Sequence, residues 1–387
     1  MLKLKCIEKK QFDNYVIKQD KISHFMQSQS WGEFSKVFYN LTPYYLGLTN
    51  EKNEIVAATL LLEKELKMNY NGYFIPFGFV IDFNKKEILK EMTDKVIELV
   101  KSKKGLFIRM NPNIIKKTKN YLNEEDTNEH YQDILNNLKS IGFKQYKEDN
   151  TNTYILDLSQ TQDEIDSHIS KELFERIKKQ KLIITEVVEA NKNDLKTLYN
   201  DKHNKKYYDT LYDVYNGHNT SNAKVIQEKI NIIKTINEHE KELKKINNQI
   251  SIIPIDHLTK SSKDKLSTLT QIKKDLMDKI NVFKSLRKEY GNEILISTTF
   301  VIEHGNKAYI NSIKNENIIN NEDINYLAYY ENIKYYKNKN IKELIQSEEN
   351  QNIKKDFGGR KIEYIGEMEY IIKPFTNFIL KKVLKII

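Results

Sequence analysis

The stretch TPYYLGLTNEKNEIVAATLLLEKEL, residues 42–66, indicates the fold class of this chain. Two runs rich in aliphatic and aromatic residues flank a polar turn at 50–53, which is the pattern of a β-hairpin. Farther along, the apolar residues between 88 and 100 recur at helical spacing, and LFIRMNP, residues 106–112, predicts a strand that a proline ends. Strand and helix signals that alternate in this way predict an α/β fold.

The same order of signals returns in the second part of the chain. The stretch TNTYILDLS, residues 151–159, predicts a strand, SHISKELFERIKKQK, residues 167–181, predicts a helix, and LIITEVVEA, residues 182–190, predicts another strand. Two strands joined at 304–306 follow, and RKIEYIGEMEYII, residues 360–372, predicts one more strand. We therefore expect two α/β units of similar order.

Residues 224–290 differ from both units. Their apolar residues are spaced by three or four along two narrow stripes flanked by Lys, Glu, Gln and Asn, and Pro254 interrupts the pattern between them. Two helices with narrow stripes can bury them against each other, so the pattern predicts a protruding antiparallel coiled-coil hairpin. Two ordinary surface helices packed on a domain are the alternative.

Composition narrows the classes of function. The chain has 387 residues with 63 Lys and Arg against 54 Asp and Glu, and its net charge of +9 suits an anionic partner such as RNA, a nucleotide or an acidic lipid. Cys6 is the only cysteine, which excludes disulfide frameworks and zinc–thiolate clusters, and we expect it to be a buried structural thiol in a reducing cytosol. No signal peptide is visible, and apolar runs such as 57–62 are too short to span a bilayer.

Motifs that carry chemistry are few. The sequence contains no glycine-rich phosphate loop, no HExxH metal motif and no GxSxG nucleophile elbow. Two basic clusters remain, one on the helix predicted at 167–181 and one in the segment KKDFGGR, residues 354–360. Such a glycine-containing segment can hold a phosphate or stabilise an oxyanion, although lysines in a Lys-rich chain are more often solvated surface residues.

Several segments resemble, in the same order, the Fem-type (FemABX) peptidyltransferases that build the interpeptide bridges of peptidoglycan. HFMQSQSWGEFSKV at 24–37 is similar to the N-terminal tryptophan segment of that family, YFIPFGFVIDF at 73–83 to its glycine–valine–aspartate strand, and LFIRMNP to its IR-x-x-P strand. KYYD at 206–209 resembles its EYF segment, and IKKDFGGRKIEYIGEMEYIIKP at 353–374 resembles its closing signature. The predicted hairpin resembles the helical arm of the branch that uses lipid substrates.

The resemblance implies a fold of two GNAT-like acyltransferase domains. The first would comprise residues 1–150 plus 363–387 and the second residues 151–362, with the arm at 224–290 inserted in the second. The implied reaction transfers an amino acid from aminoacyl-tRNA to an amino group of a muropeptide stem, carried on lipid II or on a UDP-linked precursor. The family needs no metal or organic cofactor.

The resemblance also implies partners and a place in the cell. Aminoacyl-tRNA and the muropeptide precursor are both polyanions, which agrees with the positive net charge. The basic and apolar stretch FILKKVLKII at 378–387 agrees with peripheral contact at the inner face of the cell membrane. A homodimer, or a heterodimer with a related transferase, is a further expectation.

For the site, the resemblance implies five residues. Lys354 matches the lysine of the closing signature, and we assign it the catalytic task of holding the ester carbonyl or the terminal ribose oxygens as charge develops. The expected substrate-binding residues are Lys36, Tyr207, Arg176 and Phe357.

The chain departs from the family pattern at some of these positions. Ile353 replaces the phenylalanine before the catalytic lysine, and Ser35 stands where the family has a lysine that grips phosphates, so that Lys36 comes one residue later. These departures leave a second hypothesis, a non-catalytic or retargeted relative that acts as the partner of an active transferase. A third hypothesis, a general RNA-binding module, is disfavoured because acidic residues interrupt the lysines of the arm.

Overall fold

The structure, a computed structural model, describes residues 2–148, 153–200, 204–218, 220–254, 259–316, 318–319, 321–347 and 355–378. Within these ranges the chain forms two β-sheets, helices packed on them, and a long helical hairpin. None of the helices there combines the length and the apolar character that crossing a membrane requires. The predicted α/β class is confirmed.

The strands carry the framework of the molecule. In chain order they are β1 (Lys3–Cys6), β2 (Thr42–Thr49), β3 (Ile55–Glu65), β4 (Asn71–Ile75), β5 (Gly105–Met110), β6 (Ile115–Lys119), β7 (Glu125–Thr127), β8 (Lys144–Lys147), β9 (Thr153–Asp157), β10 (Thr185–Ala190), β11 (Ser221–Asn231), β12 (Glu293–His304), β13 (Lys307–Asn315), β14 (Glu343–Ser347), β15 (Arg360–Tyr364) and β16 (Glu367–Ile371).

The helices connect and cover these strands. They are α1 (Lys9–Lys18), α2 (Gln29–Tyr39), α3 (Lys86–Ser102), α4 (Tyr131–Ser140), α5 (Gln162–His168), α6 (Lys171–Lys179), α7 (Lys205–Asn216), α8 (Ile232–Ser251), α9 (Lys260–Tyr290), α10 (Glu322–Asn338) and α11 (Pro374–Phe378), with short 3-10 segments at Lys67–Asn69 and Lys192–Leu198.

Strand pairing gives a seven-stranded and a nine-stranded sheet. The first has the order β1-β2-β3-β4-β5-β16-β8, and the second the order β10-β11-β12-β13-β14-β9-β15-β6-β7. Most neighbours are antiparallel, but β4 runs parallel to β5 and β13 runs parallel to β14. Parallel neighbours need a crossover connection, which α3 provides in the first sheet and α10 in the second. Each sheet thus contains one β–α–β unit.

The chain passes between the sheets more than once. Strands β6 and β7 fall within residues 1–150, which were expected in the first domain, but they belong to the second sheet because β6 pairs with β15. Residues 360–372, predicted as one strand, form β15 in the second sheet and β16 in the first. The break falls at Gly366, whose φ of +85° favours glycine. The division of the chain into domains stays a prediction.

The helical hairpin consists of α8 and α9, and it begins at Ile232 rather than at residue 224. Residues 224–231 belong to β11, which pairs with β10 on one side and with β12 on the other. Ile226 and Ile230 are four residues apart, and this spacing places both on one face of a strand as well as on one face of a helix. The two helices bury their apolar stripes against each other in a cluster that contains Ile246, Leu269 and Leu276.

Helices cover the sheets and form their cores. Helix α3 lays Leu89, Val96 and Val100 on the first sheet, and all three side chains are fully buried. The second sheet has α6 and α10 in the core on one face and α7 in the core on the other. Helix α2, which comes from the first part of the chain, packs on α7 through Phe34, whose ring lies 5.5 Å from that of Tyr207. This contact joins the two sheets into one structure.

Cys6 lies on β1, at the edge of the first sheet. We expected a buried thiol, but Cys6 is exposed. An edge strand is paired on one side only, so the apolar pattern of its sequence does not ensure burial.

Candidate active site

A cleft of about 510 Å³ between the two sheets is the candidate active site. It lies at the carboxyl ends of β4 and β5 and against the first halves of β13 and β14. A cavity of this size is in the usual range for a ligand site. Its lining mixes aromatic, amide and charged side chains, among them His24, Phe77, Asn111, Lys307, Tyr309, Asn311, Glu343, Arg360 and Tyr364.

The turn after β4 shapes one wall of the cleft. Phe77 and Gly78 both have positive φ, 55° and 72° respectively. The backbone N–H of Phe77 donates a hydrogen bond of 2.9 Å to Oδ1 of Asn111, which follows β5. A Cβ at Gly78 would lie 2.7 Å from the Cα of Pro112, so glycine is what lets the ends of β4 and β5 approach.

His24 packs among aromatic rings of the cleft. Its ring stacks on that of Phe77 with a centroid distance of 3.3 Å and meets Tyr309 edge-on at 4.7 Å. The backbone N–H of Met26 donates to Nδ1 of His24 at 3.1 Å, so the proton of the neutral ring is on Nε2. Burial lowers the pKa of His24 well below its ordinary value of 6.5. The ring is therefore a neutral donor at pH 7 and is not suited to act as a general base.

A charged pair lies in the same cleft. The Nζ of Lys307 is 3.3 Å from Oε2 of Glu343, and the two residues are direct partners on the neighbouring strands β13 and β14. The Lys307 side chain is 10% exposed and that of Glu343 33%, so the carboxylate is the more accessible of the two. In the part of the chain that the structure describes, no group of three or more His, Cys, Asp or Glu side chains is placed to hold a metal ion.

Asn311 presents an oriented amide to the cleft. Its Nδ2 donates a hydrogen bond of 3.2 Å to the hydroxyl of Tyr207, whereas its Oδ1 is buried and has no hydrogen-bond partner among the described residues. The ring of Tyr207 is held edge-on by Phe34 and Phe38, each with a centroid distance of 5.5 Å. Burial raises the pKa of Tyr207 to about 12, so its hydroxyl stays protonated. The free Oδ1 of Asn311 can accept an N–H group of a ligand.

Comparison with known proteins identifies the family. Residues 7–385 match the sequence profile of the FemAB family. The chain belongs to the FemAB family. Aminoacyltransferase FemA of Staphylococcus epidermidis is 29% identical to it over 122 residues, which are 32% of this chain and 29% of that protein. Lipid II:glycine glycyltransferase of Staphylococcus aureus is 30% identical over 135 residues, which are 34% of this chain and 28% of that protein. The chain thus matches less than a third of the length of each relative.

The solved structure of FemX shares the fold. FemX superposes with a TM-score of 0.77 at 19% identity, and the match covers 98% of this chain and 100% of that chain. The two sheets and the helices that cover them are therefore an architecture that FemX also has.

The FemAB closing signature falls partly outside the described residues. Lys354, the expected catalytic residue, is among those outside, and the description resumes at Lys355. Gly358 has a φ of +82°, and a Cβ there would lie 2.6 Å from the Cβ of His168, so the segment packs closely on the end of α5. Lys354 keeps the role that the FemAB resemblance predicts as a proposal.

Phe357 was expected to contact the substrate, but it does not line the cleft. It is 1% exposed and packs in the core of the second sheet, with its ring edge-on to Tyr329 at 4.8 Å. The buried ring of Phe357 anchors the described part of the closing signature, which begins at Lys355. Phe357 is therefore a core residue, and a substrate cannot contact its ring unless the core unpacks.

Arg176 was also expected to bind substrate, and it lies outside the cleft lining as well. Its Nε is 2.7 Å from Oδ1 of Asp323, its Nη2 is 3.7 Å from Glu322, and its guanidinium lies over the ring of Tyr326 at 4.8 Å. These contacts tie α6 to α10. The sequence pattern predicts the basic helix α6. It does not show that the acidic first turn of α10 packs against Arg176.

Lys36 is exposed in the last turn of α2, whereas the residues that line the cleft, 23–26, precede the first turn. Ser35, which occupies the lysine position of the family, is 1% exposed and faces inward. A lysine at 35 would therefore be buried, and the cation at 36 is the one that reaches solvent. Lys206 of α7 lies on the other face of α2, with its Nζ 5.9 Å from the ring centroid of Phe38.

None of the described residues that line the cleft is among the five site residues predicted from the sequence, including the four with charged or polar groups discussed above: His24, Lys307, Asn311 and Glu343. His24 is the first residue of the segment that resembles the family's tryptophan motif. The resemblance therefore includes its position but does not predict a role for its side chain. The other three lie on β13 and β14, and no local pattern shows that these strands pair. Only the fold brings them to the cleft.

Proposed function

We propose that this chain is an aminoacyltransferase that moves an amino acid from aminoacyl-tRNA to an amino group of a peptidoglycan stem peptide and so builds the interpeptide bridge. The observation that carries the proposal is the cleft of a FemAB-family chain, in which an accessible carboxylate and a free amide oxygen lie beside aromatic rings. The names of the matched staphylococcal relatives, an aminoacyltransferase and a lipid II:glycine glycyltransferase, support this class of reaction.

The stem peptide is proposed to bind in the cleft with its amino group near Asn311 and Glu343. An amine must be attracted as a cation and must present a neutral nitrogen when it reacts. The half-accessible Glu343 carboxylate can attract the ammonium group, and Oδ1 of Asn311 can accept one N–H and so fix the direction of the nitrogen lone pair. The Nε2–H of His24 is a neutral donor for a carbonyl oxygen of the bound peptide.

The anionic part of the acceptor is proposed to bind where α2 meets α7. Lys206 is exposed at this contact and Lys36 is exposed elsewhere on α2, and neither has an ion-pair partner among the described residues. Exposed lysines on these two helices can attract a diphosphate, which both the lipid-linked and the UDP-linked precursor carry. This assignment keeps the phosphate-binding role predicted for Lys36 and adds a second cation.

The chemistry requires little beyond positioning. The amine nitrogen attacks the ester carbonyl carbon of aminoacyl-tRNA, and the tetrahedral intermediate collapses with cleavage of the bond to the ribose oxygen. The proton that the amine loses ends on that oxygen, so that tRNA leaves with a free hydroxyl. Holding the reactants in place can supply about 7–11 kcal/mol of the barrier. Lys354 is proposed to stabilise the oxyanion, a task worth roughly 3–4 kcal/mol for one well-placed donor.

The test is transfer by the purified full chain from tRNA charged with radiolabelled amino acids to lipid II and to the UDP-linked precursor. Asn311→Ala and Lys307→Met are expected to lower transfer at least tenfold. Lys334→Met is the matched control, because that lysine pairs with Glu331 on α10, outside the cleft. Equal activity of the cleft variants and the control would place the reaction elsewhere, and no transfer by the unmutated chain would favour the non-catalytic relative.

A further inference from the structure

The first sheet has a second exposed end, opposite to the end that faces the cleft. There β3 ends at Glu65, β4 begins at Asn71 and β5 begins at Gly105. Asn71 pairs with Glu65 on one side and with Gly105 on the other. The chain that leaves β16 reaches the same end, because the backbone N–H of Lys373 donates to the carbonyl oxygen of Leu106 at 3.3 Å. The cleft lies at the other ends of β4 and β5.

Three large apolar side chains are exposed at this second end. Met68, in the turn between β3 and β4, is 68% exposed. Phe375 and Phe378 are 77% and 57% exposed and lie three residues apart on α11. Large apolar side chains that are exposed at the same end of a sheet, and that no part of the described structure covers, are typical of an interaction surface.

Lysines surround these apolar side chains. Lys67 and Lys104 are exposed beside the start of β4, and the Nζ of Lys373 lies 4.9 Å from the ring of Tyr70. Glu65 is an exposed acidic residue among them. We call this surface the basic apolar patch and define it by Lys67, Met68, Lys104, Lys373, Phe375 and Phe378. The nine residues that follow α11, ILKKVLKII at 379–387, add three lysines, six aliphatic residues and no acidic residue to the sequence next to it.

We propose that the basic apolar patch binds the surface of an anionic membrane. Phe375, Phe378 and Met68 would insert among the lipid headgroups, and the lysines would pair with lipid phosphates. The affinity of such a surface is the sum of buried apolar area and attraction to anionic lipid. This inference goes beyond the proposed function, since it concerns where the protein is held and not the reaction in the cleft.

Lipid fits the patch better than RNA does. Proteins that hold single-stranded RNA stack its bases on aromatic rings along a cationic groove. Met68 offers no ring for stacking, and neither do the aliphatic side chains of 379–387. A bilayer interface accepts aromatic and aliphatic groups alike. The six residues of β5, about 20 Å of strand, separate the patch from the cleft, so a membrane on the patch does not occupy the cleft.

The experiment is flotation of the purified full chain with vesicles of phosphatidylcholine containing 30% phosphatidylglycerol, and with vesicles of phosphatidylcholine alone. The double variant Phe375→Ser/Phe378→Ser is compared with Leu122→Ser/Val282→Ser, whose side chains are 59% and 55% exposed on other parts of the surface. We expect binding to the anionic vesicles that falls at least tenfold in the phenylalanine variant, is unchanged in the control, and is weak at 0.5 M NaCl because salt screens the lysines.

Two results would overturn the proposal. One is equal flotation of the phenylalanine variant and the unmutated chain, or no flotation of either. The other is a phenylalanine variant that floats like the unmutated chain but no longer binds tRNA in a filter-retention assay. That result would assign the patch to RNA. Thermal unfolding of each variant checks the fold. Transfer to the soluble UDP-linked precursor should be the same in the phenylalanine variant, which separates this proposal from the proposed function.

Discussion

Asn311 and Tyr207 are joined by a hydrogen bond of 3.2 Å that connects the cleft to helix α7. Tyr207 is 6% exposed and lies behind the cleft, whereas Asn311 lines it. The tyrosine that the sequence indicates as a substrate contact therefore acts on the amide that is placed to meet the substrate. This makes Tyr207 a positioning residue in the proposed mechanism.

Tyr207→Phe should weaken binding of the acceptor more than it slows the chemical step. The ring keeps its contacts with Phe34 and Phe38, but the amide of Asn311 loses its anchor, a change of about 1 kcal/mol. We expect the KM for the acceptor to rise roughly fivefold with kcat within about twofold. Tyr212→Phe, on the same helix but outside the cleft lining, is the control. The same KM in both variants would remove Tyr207 from the mechanism.

Lys354→Ala should reduce kcat by roughly 100-fold or more, which is the scale for removing one oxyanion donor. Lys355→Ala should reduce it far less, because a neighbouring surface charge contributes mainly long-range attraction that salt screens. Single-turnover transfer from charged tRNA separates the two effects. Equal and mild effects of both substitutions would make the lysine pair a tRNA-attracting surface without a catalytic residue.

Glu343→Gln should destabilise the fold as well as slow transfer. It leaves the Lys307 ammonium, which is 10% exposed, beside a neutral amide. We expect the free energy of unfolding in urea to fall by roughly 1–3 kcal/mol. Glu322→Gln is the comparison, because that side chain is 79% exposed and 3.7 Å from Arg176, and an exposed pair contributes under about 1 kcal/mol. Equal losses would show that burial of the cleft pair has no energetic consequence.

His304 should make the stability fall as the pH drops below 6.5. Its Nε2 and Nδ1 lie 2.8 and 2.7 Å from the hydroxyls of Ser23 and Ser221, and burial lowers its pKa to about 4. Between pH 6.5 and 4 the unfolded chain therefore binds a proton that the folded chain does not, and the free energy of unfolding decreases with falling pH.

Other groups also titrate between pH 4 and 8. The effect of His304 is therefore measured as the difference in stability between the unmutated chain and a His304 variant. Burial raises the pKa of Glu228 to about 8, which makes its contribution fall with rising pH and oppose that of His304. The stability of the unmutated chain minus that of His304→Gln should shrink by about 2 kcal/mol between pH 7 and pH 5 in urea unfolding. A difference that is constant with pH would contradict the buried neutral histidine.

Trimming the arm should leave the rest of the chain folded. Replacing residues 241–278 by a short turn removes the distal cluster around Ile246 and Leu276 but keeps Ile236 and Phe283, which pack at the base of the hairpin with Ile294 of the second sheet. Thermal unfolding followed by circular dichroism should stay a single cooperative transition. Removing 224–290 should abolish it, because that deletion takes most of β11 from between β10 and β12. Cooperative unfolding of the longer deletion would contradict this assignment of the strand.

Local structure could be predicted from the sequence where one short segment determines it. The hairpin at 42–66 is observed as β2 and β3 with the turn where the sequence indicates it, since alternation and turn residues act within a few positions. The helical hairpin was located except for its start, where the spacing of Ile226 and Ile230 fits a strand equally well. Residues 360–372 show the limit, because an apolar run does not reveal which sheet it joins.

The cleft could not be predicted, because pairing over long distances in the sequence creates it. Lys307 and Glu343 face each other only because β13 and β14 are neighbours across the crossover helix α10. Phe357 and Arg176 are residue types that a substrate site would use. In the structure, however, Phe357 packs in the core of the second sheet and Arg176 pairs with the acidic end of α10. Residue type and motif position thus identified the family, while the side chains that line the cleft required the structure.

The measurement that tests the central claim most directly is the mass of the acceptor after reaction. Purified full chain is incubated with lipid II or the UDP-linked precursor and a set of tRNAs, each charged with one amino acid. The account predicts that the acceptor gains the mass of one amino-acid residue, attached through an amide bond to a stem-peptide amino group, and that Asn311→Ala greatly reduces this product. An acceptor of unchanged mass with every charged tRNA and both precursors would contradict it.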